Sequence, residues 1–427
     1  MRPLSRLRTR VAYCAILTTF AASCSIFTSL DELRPTSSTY DGGVDASTDV
    51  VSSADAADAA DAGPLCGAAG ESCCVSPLAP CEDGLACNGA MRCVVNDAWV
   101  VGEYTAVGGA DAGGGFVTQT VTAHYDGTAW SLGKPVITDT LFGAAHHAVQ
   151  IYQAGTRVNV LLNKDSIGQM FRFNGFSWQE CKPGASCVAP TGGPPLQSLI
   201  EVPNFGTPEI WIAGSNQMYR CQDGQPSCTS VTNGAVGGWG TSNLVGSSAQ
   251  DLWYGVFDHV LHFDGTAWAS TAVADARSVA SLGKGDVWIG DKQLRHFDGK
   301  VWSSAYLVDG AQTPGLISSI DGSRSNDAFA VGYGGTGDAS FAAHWNGTTW
   351  TKTDLPTNLA YAQSVYAPSP IDAFVVGRNG AGSQTGIIAH WDGTKWSEML
   401  SPTVTYPGET QIGHITWLSV TGRARRR

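Results

Sequence analysis

Little in this chain is suited to helices. Charged residues fill only 15% of its 427 positions and methionines number 5, against 52 glycines. That balance disfavours long amphipathic helices and favours short strands joined by turns. The apolar run near the N-terminus, "VAYCAILTTFAAS" at 11–23, has about 13 residues where a membrane-crossing helix needs about 20. Common catalytic signatures are also missing. There is no G-x-S-x-G, no H-E-x-x-H, no P-loop and no G-x-G-x-x-G between a strand and a helix. Positive charge is scarce as well: the formal net charge is −12. Phosphate backbones would repel such a chain, so nucleic acid is excluded as a partner.

The N-terminus has the layout of an export signal: basic "MRPLSRLRTR", the apolar run, then a cysteine. Its end, "FAASC", resembles a bacterial lipobox, although Ala21 stands where leucine is usual. The resemblance implies a signal at 1–23, with Cys24 acylated and tethering the chain to the membrane. Serine at 25 rather than aspartate implies the outer membrane. An ordinary cleaved signal with Cys24 incidental is the alternative. Without 1–23 the chain keeps 21 basic and 37 acidic residues, a net charge of −16. Residues 24–64 follow as anchor and spacer. "SADAADAADAG" offers no apolar face to bury, and its aspartates repel one another. A flexible chain of this length reaches roughly 30 Å.

Six cysteines crowd into a module at 65–93: Cys66, Cys73, Cys74, Cys81, Cys87 and Cys93. Their spacing resembles dickkopf- and colipase-like cysteine-rich modules and implies disulfides. Six cysteines allow 15 connectivities, which sequence cannot resolve. Zinc is the alternative, but no histidine lies nearby. Cys181 with Cys187, and Cys221 with Cys228, read as staples across loops. Asp223–Pro226 as a four-residue loop would set the latter two opposite each other.

The rest of the chain repeats itself. "AHYDGTAW" at 123–130 returns as "LHFDGTAW" at 261, "RHFDGKVW" at 295, "AHWNGTTW" at 343 and "AHWDGTKW" at 389, with a degraded "FRFNGFSW" at 171. Asp-Gly between apolar segments predicts a hairpin with a two-residue type I′ turn. That turn pairs Trp391 with Thr394, His390 with Lys395 and Ala389 with Trp396. Period-2 alternation then puts Trp391 and Trp396 on one face and the histidine on the other. Five of nine histidines hold this one position, which marks them as structural. "NGT" at 346–348 is likewise read as turn chemistry and not as a glycosylation site.

Upstream of each hairpin stands an acid–aromatic–glycine phrase, as in "EIWIAG" at 209 or "DAFVVG" at 372, itself preceded by an apolar strand. Four strands per unit and seven units over 94–422 give about 47 residues each, the length of propeller blades. Such units bury both faces only by stacking radially. The expectation is therefore an all-β, seven-bladed β-propeller of four-stranded blades. "HITWLSVTG" at 414–422 would complete blade one as a clasp, and 423–427 would form a basic tail. The repeats resemble tryptophan- and Asp-Gly-rich propellers of bacterial secreted proteins, akin to kelch and galactose-oxidase-like propellers. The resemblance implies architecture and carries no activity. The copies depart from the sialidase Asp-box, and no cysteine is free for a copper-oxidase crosslink.

No cofactor, metal or catalytic residue is expected. The adjacent histidines His146 and His147 would point to opposite faces of a strand. The non-repeated loops between second and third strands gather on the rim opposite the Asp-Gly turns, where function is expected. They supply the candidate binding residues Lys164, Asp165, Asp258, His259, Asp291 and Arg378. The reading is a lipid-anchored, extracytoplasmic binding or scaffolding protein with a monomeric head that recognises a protein or glycan. A polysaccharide-acting enzyme and a ligand-free surface protein are the alternatives.

Overall fold

In the computed structural model the described residues lie between 72 and 422. Omitted are 1–71, most of 74–91, 108–115, 134–145, 232–242, 309–314, 404–413 and 423–427, with shorter loop stretches. Cys24, Cys66, Cys74, Cys81, Asp165 and Asp258 therefore fall outside the described residues.

The chain forms a seven-bladed, all-β propeller, with no helix among the described residues. Blade 1 joins His414–Gly422 to Ala98–Val107, Phe116–Tyr125 and Trp130–Leu132. Blade 2 is His146–Ala154, Arg157–Lys164, Ile167–Phe173 and Trp178–Glu180. Blade 3 is Leu196–Val202, Glu209–Gly214, Met218–Gln222 and Thr229–Val231. Blade 4 follows with Leu244–Ser248, Asp251–Val256, His259–Phe263 and Trp268–Ala272, and blade 5 with Ser278–Gly283, Asp286–Gly290 and Leu294–Phe297. Blade 6 is Leu316–Arg324, Asp327–Tyr333, Ser340–Trp345 and Trp350–Thr353. Blade 7 is Tyr361–Ser369, Asp372–Arg378, Gly386–Trp391 and Trp396–Met399. The fourth strand of blade 5 is reduced to two bridges, Phe297 to Trp302 and Leu294 to Tyr306. Between them the Ser303 hydroxyl accepts the His296 N–H.

The ring closes as the repeat count predicts. His414–Gly422 pairs antiparallel with Ala98–Thr105. It also packs against the innermost strands of blades 2 and 7. Trp417 at its centre is fully buried.

The hairpin register differs from the two-residue turn. Trp391 lies directly opposite Trp396, and His390 opposite Ser397. The loop is thus four residues long, and the same holds at Tyr125–Trp130, Phe173–Trp178, Phe263–Trp268 and Trp345–Trp350. The aspartate side chain is the cause. Asp392 Oδ1 accepts the N–H groups of Thr394 (2.8 Å) and Lys395 (2.9 Å), closing an Asx-type loop. Gly393, at φ +92°, supplies the left-handed residue the loop needs. Thr394's hydroxyl and then Lys395's amide hold the Asp392 carboxyl down to about 2. The two tryptophans still share a face, now as direct partners with ring centroids 5.5 Å apart.

These aromatic pairs join the blades. The aromatic of each acid–aromatic–glycine phrase inserts into the pair of the next blade. Trp99 meets Phe173 and Trp178, Trp253 meets Phe297 and Trp302, and Trp288 meets Trp345 and Trp350. Phe329 meets Trp391 and Trp396, and Phe374 meets Tyr125 and Trp130. The junction of blades 2 and 3 is the exception. Asn159 replaces the aromatic, and Cys221, bonded to Cys228, occupies the position of the pair's first ring. Arg172 bridges that junction to Asp223 at 2.5 Å.

The described part of the cysteine-rich segment packs into the propeller. Leu85–Cys87 pairs with Cys93–Val95, and Cys73 is bonded to Cys87. Cys73, Leu85, Cys93 and Val95 belong to the same buried cluster as blades 1 and 7. The Val95 N–H donates to Asp372 Oδ2 of blade 7 at 2.5 Å. Cys181 and Cys187 are also bonded.

Candidate ligand-binding funnel

The five repeated histidines have one job. In every copy Nε2 meets the acid of the blade's own upstream phrase: His124–Asp97 at 3.0 Å, His262–Asp251 at 3.0 Å, His296–Asp286 at 2.6 Å, His344–Asp327 at 2.7 Å and His390–Asp372 at 2.7 Å. Each ring also lies over the phrase's aromatic, as His344 lies over Phe329 with planes 9° apart. Burial pushes the Asp251 and Asp286 carboxyls up, but hydrogen bonds, from His262 and His296 first, hold both below the usual aspartate value. Blade 3 makes the same rivet with longer parts. Arg220 Nε donates to Glu209 at 2.8 Å, and the guanidinium lies over Trp211. Repetition at five blades, with a matched substitution in a sixth, makes this architecture and not a reactive centre.

A second repeated device lies along the axis. The innermost strands of blades 1, 2, 3, 6 and 7 each carry a bulge, at Leu418, Val149, Gln197, Ser318 and Gln363. A bulge re-aims the side chain at the extra residue. The residue after it staples the next blade. Ser198, Ser319, Ser364 and Ser419 accept the N–H groups of Leu244 (2.7 Å), Val365 (3.2 Å), Val420 (3.4 Å) and Ile151 (3.3 Å). Gln150 does the same for Leu199 at 2.7 Å. A serine recurs in "LQSL", "ARSV", "ISSI", "AQSV" and "WLSV". That recurrence is the signal by which the axis could have been read from the sequence.

The bulged side chains line a cavity of about 380 Å³ at one end of the axis. Val149, Gln197, Ser318, Gln363 and Leu418 are joined by Asn243 of blade 4 and Arg277 of blade 5, so every blade contributes. Asn163 and Tyr333, at the ends of second strands, complete the rim. The funnel therefore opens on the face that carries the non-repeated loops. Below it the axial space shrinks to about 50 Å³ between Leu244, Ser319, Ser364 and Ser419. Among the described residues Arg277 is the one charged side chain in the wall, with Asp291 Oδ1 at 4.0 Å.

None of the four described candidate loop residues, Lys164, His259, Asp291 and Arg378, lines this cavity. Asp291 stands behind the wall beside Arg277. The Arg378 guanidinium covers the Tyr361 ring at 3.7 Å, and Tyr361 in turn packs on Tyr333 at 5.3 Å. Lys164 and His259 are half-buried strand-end residues paired with Ile167 and Val256. On the same face His147 Nδ1 lies 3.1 Å from Glu103, whose carboxyl burial pushes up. No group of three or more metal-ligating side chains occurs among the described residues.

No family model and no curated protein matches the chain. Among solved structures it is similar to YCF48 bound to D1 peptide, at TM-score 0.47 and 12% identity over 64% of this chain and 85% of that one. YCF48 from Cyanidioschyzon merolae gives TM-score 0.40 and 12% identity over 66% and 90%. The extracellular domain of BT4673 from B. thetaiotaomicron gives 0.41 and 12% over 72% and 39%. At 12% identity none of these transfers a ligand or an activity.

Proposed function

We propose that this chain is a non-catalytic, extracytoplasmic binding protein that engages a protein or glycan with the funnel-bearing face of its propeller. One observation carries the reading: an axial cavity on the loop-rich face receives a side chain from each of the seven blades. A concave site with a few convergent polar groups is where a rigid scaffold holds a ligand. Disulfides within blade 3 and after blade 2 suit an oxidising compartment. Acylation at Cys24, with 24–64 as a spacer, would hold a monomeric head clear of an outer membrane. The excess of acidic residues disfavours nucleic acid.

The test is a screen of the full chain against extracellular glycans and proteins, repeated with substitutions on the funnel face and on the opposite rim. Saturable binding that only funnel-face substitutions weaken supports the reading. Binding indifferent to that face overturns it, and no binding at all favours a ligand-free surface protein. Turnover of a polysaccharide would favour an enzyme, with Glu103 and His147 the first residues to substitute.

A further inference from the structure

We infer that the funnel takes an acidic saccharide unit, with its carboxylate on Arg277. This rests on the binding reading above and narrows it to a ligand class. The cavity of about 380 Å³ sits at the small end of the range for ligand pockets. It suits one or two compact polar rings better than a run of peptide.

The wall is polar over one arc. From blade 3 to blade 7 it presents Gln197, Asn243, Arg277, Ser318 and Gln363. Amide side chains both donate and accept, as sugar hydroxyls require. Gln197 Oε1 accepts the Tyr254 hydroxyl at 2.5 Å, which fixes the amide and leaves its NH₂ to donate. Gln363 has no hydrogen-bond partner among the described residues. Tyr333 is half-exposed in the same wall and held by the Tyr361–Arg378 stack, so it offers a fixed ring to the apolar side of a sugar. Leu418 and Val149 form the remaining, apolar arc.

The charge selects the acid. Arg277 is the only charged side chain in the wall among the described residues, and a guanidinium binds carboxylates in a two-pronged geometry. Asp291 Oδ1, at 4.0 Å, pairs with Arg277 by charge but lies beyond hydrogen-bonding range, so the guanidinium N–H groups can still donate to a ligand.

A peptide strand has less to hold. Adding a strand needs free backbone groups on an edge, and at five junctions the inner-strand N–H is already taken by the neighbouring blade.

Calorimetry on the full chain tests this with trisaccharides ending in galacturonate, glucuronate, mannuronate or sialate. Each is paired with its carboxyl-reduced counterpart, and peptides with free and amidated C-termini are run alongside. At least one acidic trisaccharide is expected to bind about tenfold or more tighter than its reduced form. Arg277→Gln should abolish that preference and Arg277→Lys should keep part of it. Gln363→Ala should weaken acidic and reduced forms by the same factor. An unchanged melting transition in each variant excludes misfolding. The inference is overturned if no acidic trisaccharide binds, if Arg277→Gln leaves the preference intact, or if only free-carboxylate peptides bind. In the peptide case funnel-face binding stands and the ligand class alone is wrong. Binding of any probe that no funnel substitution affects removes the binding reading itself.

Discussion

The hairpin aspartates carry a stabilising interaction that depends on their charge. Asp126 is held at about 2 by the Thr128 hydroxyl and the Ala129 and Thr128 amides. Asp264 is held at the same value by the Ala267 amide and then Thr266, and Asp392 by Thr394 and then Lys395. Unfolded aspartate titrates near ~3.9. The folded value is the lower one, so the stabilisation is complete above that pH and disappears as pH falls through about 2. Side-chain NMR should show these carboxyls titrating near 2 while exposed aspartates elsewhere titrate near ~4; ordinary values at all three would refute the loop account. Blade 6 already contains the control, because Asn346 Oδ1 accepts the Thr348 and Thr349 N–H groups at 3.0 Å. Asp392→Asn should accordingly leave the melting temperature at pH 7 nearly unchanged and make it less sensitive to acid. A large loss at pH 7 would mean that charge, rather than the acceptor, makes the loop.

Within a blade, the histidine rivet locks the second strand to the third, and its parts are matched in length. Asp327 is buried, takes His344 Nε2 at 2.7 Å and accepts the Ser323 hydroxyl at 2.5 Å. Removing a buried partner leaves the other unsatisfied, at a cost of about 1–3 kcal/mol. Asp327→Ala and His344→Ala should each lower stability by about that amount in denaturant melts. Blade 3 shows that Glu209 with Arg220 also fits. The double substitution Asp327→Glu with His344→Arg should therefore recover much of what either single change loses. Additive losses would show that the two positions are not coupled. Between blades the serine staple does similar work. Ser364→Ala should expose the Val420 N–H, read as faster hydrogen exchange there; unchanged protection would mean the 3.4 Å contact contributes nothing.

The whole ring depends on a pairing between residues more than 300 apart in sequence. His414–Gly422 gives blade 1 its innermost strand, and Trp417 is buried where blades 7 and 1 meet. Each blade is held by its neighbours, so loss of one strand should spread around the ring. Deleting 412–427 should yield aggregated protein or a single, much lower melting transition, because it uncovers a strand edge and the apolar faces beside it. Deleting only 423–427 should leave melting unchanged. A soluble monomer with wild-type melting after the longer deletion would contradict the clasp. The proposed anchor is tested at the same scale. Cys24→Ala should release the protein from the membrane fraction, and unchanged fractionation would remove the lipid assignment.

The sequence by itself determined the number of blades, the meander order of their strands and the structural standing of the histidines, though not that the fourth strand of blade 5 shrinks to two bridges. Each of these is local: Asp-Gly marks a turn, period 2 assigns faces, and repetition separates frame from site. The same local reading mistook the loop length. The type I′ rule counts backbone geometry alone, whereas the Asp392 side chain competes for the Thr394 and Lys395 N–H groups and lengthens the loop. The site itself belonged to the tertiary structure. Val149, Gln197, Asn243, Arg277, Ser318, Gln363 and Leu418 come from seven different segments and meet only because the ring closes. The loop candidates were chosen for being unlike one another, yet the funnel is built from a bulge position that most blades share. Insertion of an aromatic into the neighbouring blade, and docking of Cys93 and Val95 beside blades 1 and 7, were likewise decided by packing between distant segments. The aromatic phrase and the serine do recur along the chain, but which distant segment each one meets is decided only when the ring closes.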